Sequence, residues 1–186
     1  MKRIFDLLLA CIVAIILFIP MIMVAVVVKL TSQGPILYWS DRVGQGNYLF
    51  KMPKFRSMKV NTPAVATHLL DDPKSVLTPI GDFLRKSSLD ELPQLWNILK
   101  GDMSFVGPRP ALFNQADLIK LRTEQHIDSL VPGLTGWAQV NGRDELPIPD
   151  KVALDKQYLQ QQSFQFDLKI LWLTFIKVIK KEGVSH

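Results

Sequence analysis

Asp90 and Glu91 are neighbouring carboxylates in the stretch SLDELPQLWNILKGDMSFVGPRP, residues 88–110. Such a pair can cap a helix. Alternatively, one member attacks phosphorus while the other orients it, helps hold a metal or moves a proton. The stretch closes on Gly107-Pro108-Arg109-Pro110, where two prolines restrict the backbone around one guanidinium. Arginine pairs bidentately with phosphate, so Arg109 reads as half of a phosphate clamp facing a nucleophile. Upstream, Lys51, Lys54, Arg56 and Lys59 form a basic cluster. Lys54 and Arg56 lie two apart and share a face if extended. The cluster is either an anion site or a solvated or lipid-facing patch. Downstream, VPGLTGWAQVNGRDELP (131–147) gathers Gln139, Asn141 and Arg143 in a loop rich in donors. Turn chemistry explains its glycines but does not demand those three residues together.

The elements that must position these groups follow from spacing. Leu92, Leu95, Trp96 and Leu99 recur at i, i+3, i+4 and i+7, the buried face of a helix, with Lys100 in its last turn and Gly101 at C′. Ser88-x-x-Glu91 matches a capping box, the plain structural role for Glu91. Pro93 resists that start, because its missing N–H then falls beyond the first turn. A later start leaves Asp90 and Glu91 at the helix mouth, where the dipole keeps a carboxylate ionised. Ile36–Trp39 and Tyr48–Phe50 read as short strands about a Gly44-Gln45-Gly46-Asn47 turn, and 61–78 as a surface loop. A helix is predicted over 78–88, capped by Thr78, with Pro79 first and Arg85 and Lys86 in its last turn. The tail, 164–181, is amphipathic and basic: Leu168, Leu171, Trp172, Phe175, Ile176 and Ile179 share one face, with Lys169, Lys177, Lys180 and Lys181 at its border or opposite it, the pattern of an interfacial or a core helix. Beside a membrane segment it reads as an interfacial helix.

The chain has 186 residues, 48% hydrophobic and 21% charged, with a formal charge of +5. This fits one globular domain with one membrane segment, and excludes a polytopic or disordered chain. The positive charge suits anionic lipid, a phosphorylated substrate or nucleic acid. Cys11 is the single cysteine, which excludes an intrachain disulfide, and it reads as a small buried hydrophobe. The histidines are scattered, which argues against a histidine metal site. No nucleic-acid motif appears, and the basic residues lie beside membrane elements. Leu7 to Val28 is free of charge. A straight helix there is long enough to span, but Pro20 predicts a break. Basic residues on both flanks favour a hairpin with both ends cytoplasmic over a kinked single span. Asp6, at the membrane edge, is expected to pair with Lys2 or Arg3.

Together these pieces resemble the small monotopic phosphoglycosyl transferases, the bacterial sugar transferase family. The likeness is carried by KFRSM (54–58), residues 88–110 and PGLTGWAQVNGR (132–143), and runs from Lys2-Arg3-x-x-Asp6 to about Val184. It implies a mainly α fold with a few short β-strands. Residues 1–33 would form a re-entrant helix–break–helix anchor, and 34–186 a catalytic domain with a C-terminal interfacial helix, on the cytoplasmic face of the bacterial inner membrane. It implies magnesium-dependent transfer of a sugar 1-phosphate from a UDP-sugar to undecaprenyl phosphate, releasing UMP and initiating a membrane glycoconjugate. By the same resemblance Asp90 is the nucleophile of a covalent aspartyl-phosphosugar intermediate, beside Glu91, and the two are the candidate metal ligands. Lys54, Arg85, Arg109 and Arg143 would bind phosphates, with Gln139 and Asn141 in the substrate loop. Asp167 matches a polar position of open role, and Pro20 the membrane hinge. Ile19 departs from the serine frequent before that proline. An N-acetylated amino sugar is the expected donor, with a UDP-hexose as the alternative. A non-catalytic membrane-anchored scaffold is the rival from another class, and a homodimer is left open.

Overall fold

The computed structural model describes residues 1–63, 65, 72, 74–142 and 146–180, with backbone only for 179 and 180. The apolar N-terminal run forms α1 (Lys2–Ile16) and α2 (Phe18–Thr31), bent by 61° where they meet. Among the described residues no single helix is long and apolar enough to cross a membrane, while this bent pair passes by length and composition. The break falls at Leu17, not at Pro20, which is the third residue of α2. A proline ring presses on the carbonyl four residues back, here Ile16, so the distortion appears one turn before the proline. Within α2 the ring sits in the first turn, where no N–H is missed. Ile12, Ile15, Phe18, Ile19, Ile22 and Leu30 are exposed. Cys11 is exposed with them, against the expectation of a buried site.

The polar start of α1 is bonded into the body of the protein. Lys2 Nζ meets Asp167 Oδ2 at 2.6 Å, and the Arg3 guanidinium donates to the carbonyls of Ile98 and Leu99. Asp6 does not pair with Lys2 or Arg3. It is buried, and accepts from Ser104 Oγ at 2.8 Å and the Phe105 N–H at 3.2 Å. A buried carboxylate is tolerated only when bonded, and the strand it bonds lies under α1.

β1 (Leu37–Val43) and β2 (Leu49–Phe55) form an antiparallel hairpin, longer than the apolar runs alone suggested. Its register places Lys54 opposite Tyr38. Arg56, just past β2, is spent on the end of α2, donating to the carbonyls of Ser32 and Gln33 and to Ser32 Oγ. The helix expected over 78–88 is shorter: α3 runs Gly81–Lys86, and Thr78 does not cap it. Thr78 is buried, with its hydroxyl donating to the Ser57 carbonyl at 3.3 Å.

β3 (Ser104–Val106) and β4 (Gly133–Thr135) pair in parallel. Between them come α5 (Ala116–Glu124) and a 3-10 turn at Ile127–Ser129. The segment expected as a loop over 131–147 therefore holds a strand and α6 (Trp137–Asn141). α7 (Ile148–Gln161) and α8 (Phe164–Lys180) are the last helices among the described residues. The main core joins Phe50, Met52, Ile98, Met103, Val106 and Tyr158 to Ala10 of α1 and Ile170 of α8. A smaller cluster packs Val24 and Val28 of α2 on Phe55 and Leu84.

Candidate active site

The two carboxylates stand in a 3-10 turn, Leu89–Gln94, and α4 (Leu95–Lys100) begins only after Pro93. The late helix start inferred from Pro93 is what the chain adopts. The capping box is not made. Ser88 enters the turn at φ 57° with no side-chain cap bond, and the Glu91 side chain points elsewhere. Lys54 Nζ approaches Glu91 Oε1 at 2.7 Å, and Arg109 Nη2 reaches the same oxygen at 3.0 Å. In a 3-10 turn successive side chains diverge by about a third of a turn. Asp90 is thereby free of those contacts.

Asp90 is 7% exposed. Burial raises its carboxyl, Lys54 draws it down, Glu91 pushes it up again, and Arg85 and Arg109 lower it; the balance lies at about 6. Glu91 differs. Burial alone would raise it, but Lys54 and Arg109 overcome that and hold it well below the usual carboxylate range. One carboxylate is thus fixed in its charged state and the other is poised near neutrality. Both line a cleft of about 890 Å³, together with Lys54, Arg85, Arg109 and Arg122.

Arg109 is held by more than its flanking prolines. The Pro108 carbonyl accepts from Gly133 N at 2.9 Å, that of Arg109 from Arg122 Nη1 at 2.8 Å, and that of Pro110 from Arg42 Nη1 at 3.1 Å. Gly107 and Gly133 make the close approach possible: a Cβ on Gly133 would lie 2.1 Å from Gly107 N. Arg122 is fixed in turn by Asp155, with Nε and Nη2 reaching Oδ2 at 3.0 and 2.6 Å. Burial raises the Asp155 carboxyl, and Arg122 opposes it. Sequence reasoning missed Arg122, Asp155 and Arg42. The one available signal was a carboxylate on the apolar face of α7, where Val152, Asp155 and Tyr158 are the buried residues.

The other expected site residues divide. Gln139 is buried and lines the cleft. Asn141 is exposed at the end of α6, where its amide donates to the Trp137 carbonyl at 2.7 Å, and does not line the cleft. Asp167 also lies off the cleft; it is buried between Lys2 Nζ and the Tyr158 hydroxyl, both at 2.6 Å. Arg143 lies outside the described residues.

Among the described residues no group of three or more Asp, Glu, His or Cys side chains is placed to hold a metal ion. The cleft offers the two carboxylates Asp90 and Glu91, and both cation contacts on Glu91 fall on Oε1. This is the donor set magnesium uses when it keeps waters and takes its remaining ligands from substrate phosphates. The residues therefore fit magnesium and do not fit a closed structural metal site.

Comparison with known proteins bears on this geometry. A family model described as bacterial sugar transferase matches residues 1–181. The chain is 42% identical to the uncharacterized sugar transferase EpsL of Bacillus subtilis, across 100% of this chain and 91% of that protein. It is 39% identical to the UDP-glucose:undecaprenyl-phosphate glucose-1-phosphate transferase of Escherichia coli, across 95% of this chain and 40% of that one. It is 37% identical to the exopolysaccharide production protein ExoY of Sinorhizobium fredii, across 98% of this chain and 87% of that protein. The chain thus spans nearly all of two of these relatives and less than half of the E. coli protein.

Proposed function

The chain belongs to the bacterial sugar transferase family, and on that premise we propose that it moves a sugar 1-phosphate from a UDP-sugar to undecaprenyl phosphate and releases UMP. The observation that carries this reading is Asp90, buried in the cleft with Lys54, Arg85 and Arg109 around it and Glu91 alongside. A carboxylate oxygen of Asp90 attacks the phosphorus that bears the sugar. The bond from that phosphorus to the bridging oxygen breaks, and the oxygen leaves on UMP. The aspartyl-phosphosugar is then attacked at the same phosphorus by a phosphate oxygen of the lipid, which displaces Asp90 and forms the lipid diphosphosugar. Two steps avoid direct encounter of two strongly anionic phosphates. Arg109, Lys54 and Arg85 neutralise the transferring phosphoryl group, a role the family resemblance extends to Arg143. Magnesium, held by Asp90 and Glu91, would supply further charge neutralisation on the phosphates. Glu91, kept ionised by its two cations, orients the site and carries no proton.

The donor expected from the small family members is an N-acetylated amino sugar. A UDP-hexose is the second reading, favoured by the name of the E. coli relative, which specifies UDP-glucose. The bent α1–α2 pair and its exposed apolar side chains support a re-entrant anchor on the cytoplasmic face of the inner membrane. The test is UMP release by detergent-purified protein with magnesium, undecaprenyl phosphate and a panel of UDP-sugars, beside Asp90→Asn. One donor should yield UMP, and the variant should lose at least about a thousandfold in rate. Full activity in Asp90→Asn would end the proposal.

A further inference from the structure

Four buried side chains among the described residues carry polar atoms without a hydrogen-bond partner: Arg56, Gln94, Asn97 and Gln139. Gln139 differs from the rest. Both ends of its carboxamide, Oε1 and Nε2, are unpartnered, it is 8% exposed, and it lines the cleft that holds Asp90. The large majority of buried side-chain amides in native proteins are bonded, so one with both ends orphaned on a cleft wall points to a partner supplied by a ligand.

The surroundings keep room for this carboxamide. Gly136 lies three residues earlier, and a Cβ there would come within 2.6 Å of Gln139 Oε1 and 2.1 Å of the Gly107 carbonyl oxygen. A glutamine at the third position of α6 can reach back to cap Gly136, but no side-chain cap bond is made. Gly107 begins the segment that ends on Arg109, and Gln139 and Arg109 both line the cleft. Rotation about the outer torsions, which are soft in glutamine, turns the amide into the cleft.

The chemistry selects the ligand group. Phosphates are matched by the cations, and a neutral carboxamide is matched by a neutral group with a donor and an acceptor side by side. A secondary acetamide on a sugar directs its N–H and C=O in opposite directions and cannot engage both ends of one carboxamide. A bare sugar ring carries several hydroxyls, each in need of a partner. The lining of the cleft includes Leu134, Ala138, Leu171 and Val178, with Lys151 and Lys177 as charged groups for phosphate, while the Thr135 and Thr174 hydroxyls are bonded to each other at 2.7 Å. Apolar side chains together with a neutral carboxamide suit a flat base with apolar faces and a polar edge. We propose that Gln139 reads the imide edge of the donor's uracil, with Oε1 accepting from N3–H and Nε2 donating to the adjacent carbonyl oxygen. This rests on the nucleotide-sugar reading above and makes Gln139 a specificity-determining residue for the nucleotide half of the donor.

The test is calorimetric binding of UMP and of N3-methyl-UMP, with magnesium, to full-length detergent-purified protein and to Gln139→Leu. The wild type should bind UMP about 10- to 100-fold more tightly than the methylated nucleotide, the discrimination of a good bidentate pair. Gln139→Leu should bring that ratio within about threefold of unity, as a broken pairwise contact requires. Equal binding of both nucleotides by the wild type overturns the inference without any variant, which covers a Gln139→Leu that does not fold. Discrimination retained in Gln139→Leu overturns it too. So does a change in preference among UDP-sugars with UMP affinity unaltered, since that places the contact on the sugar. Wild type that binds no UMP brings down the nucleotide-sugar reading itself, an outcome separate from the others.

Discussion

At the residue scale, two adjacent carboxylates with the same intrinsic chemistry are shifted in opposite directions, because the 3-10 turn gives them different neighbours. Glu91 meets Lys54 and Arg109, while Asp90 is buried without a direct ion pair among the described residues. Asp90 must be ionised to attack phosphorus, and its carboxyl lies at about 6. kcat/KM, which reports the free enzyme, should therefore rise with pH through about 6 and level off above it. A profile flat from pH 5 to 8, a range set by the ordinary reach of such titrations, would remove Asp90 as the titrating nucleophile. The same shift has a sign for stability. A carboxyl raised from 3.8 to about 6 binds its proton more tightly folded than unfolded, so the folded state loses stability as pH climbs between those values. Asp90→Asn removes that penalty. Its melting temperature should exceed the wild type's by a few degrees at pH 7, with the gain shrinking as pH falls towards 4. A lower melting temperature at pH 7 would contradict the assignment. The motif spelled out which residues to suspect; it did not divide the roles, because Ser88-x-x-Glu91 was equally good as a cap.

At the element scale, the phosphate clamp is a backbone assembly. β3 and β4 are each three residues long, and they bring the VGPRP and PGLTGW segments so close that only glycine fits at 107 and 133. α5 and α7 brace the result through the Arg122–Asp155 pair, which is buried and grips the Arg109 carbonyl. Removing one partner strands a buried charge, at a cost of about 3–5 kcal/mol. Asp155→Asn should melt far below the wild type. The pair Arg122→Leu with Asp155→Leu should regain most of that loss, because an apolar replacement of a buried ion pair is often neutral. It should still show a KM for the UDP-sugar raised several-fold, since Arg122 then no longer donates to the Arg109 carbonyl. Recovery of KM along with stability would show that the brace acts on folding alone. The two helical arms at the N-terminus were legible as apolar runs with a proline. Their break at Leu17 was offset by one turn from the residue that causes it.

At the scale of the whole molecule, α1, α2 and α8 each carry exposed apolar side chains. Beside those of α1 and α2, α8 leaves Leu168, Phe175 and Trp172 exposed, the last at 61%. α8 buries its opposite face through Asp167 and Ile170, so it is a core helix and a surface helix at once. Trp172→Glu with Phe175→Glu should leave the far-ultraviolet spectrum unchanged and weaken binding to anionic vesicles at least tenfold; unchanged vesicle binding would take α8 out of the interface. Local rules of period, proline and glycine placement, and charge suffice to read from the sequence the broken apolar run at the N-terminus, the carboxylate pair and Arg109. Those features are set by neighbours along the chain. Only the tertiary structure decided that Asp6 holds β3, that Asp167 receives Lys2, that Arg122 and Asp155 stand behind Arg109, and that Gln139 is left without a partner. Each of these joins residues far apart in sequence or depends on how distant segments close around a side chain. A local pattern carries no record of which distant group will arrive to share a buried charge or leave an amide unpaired.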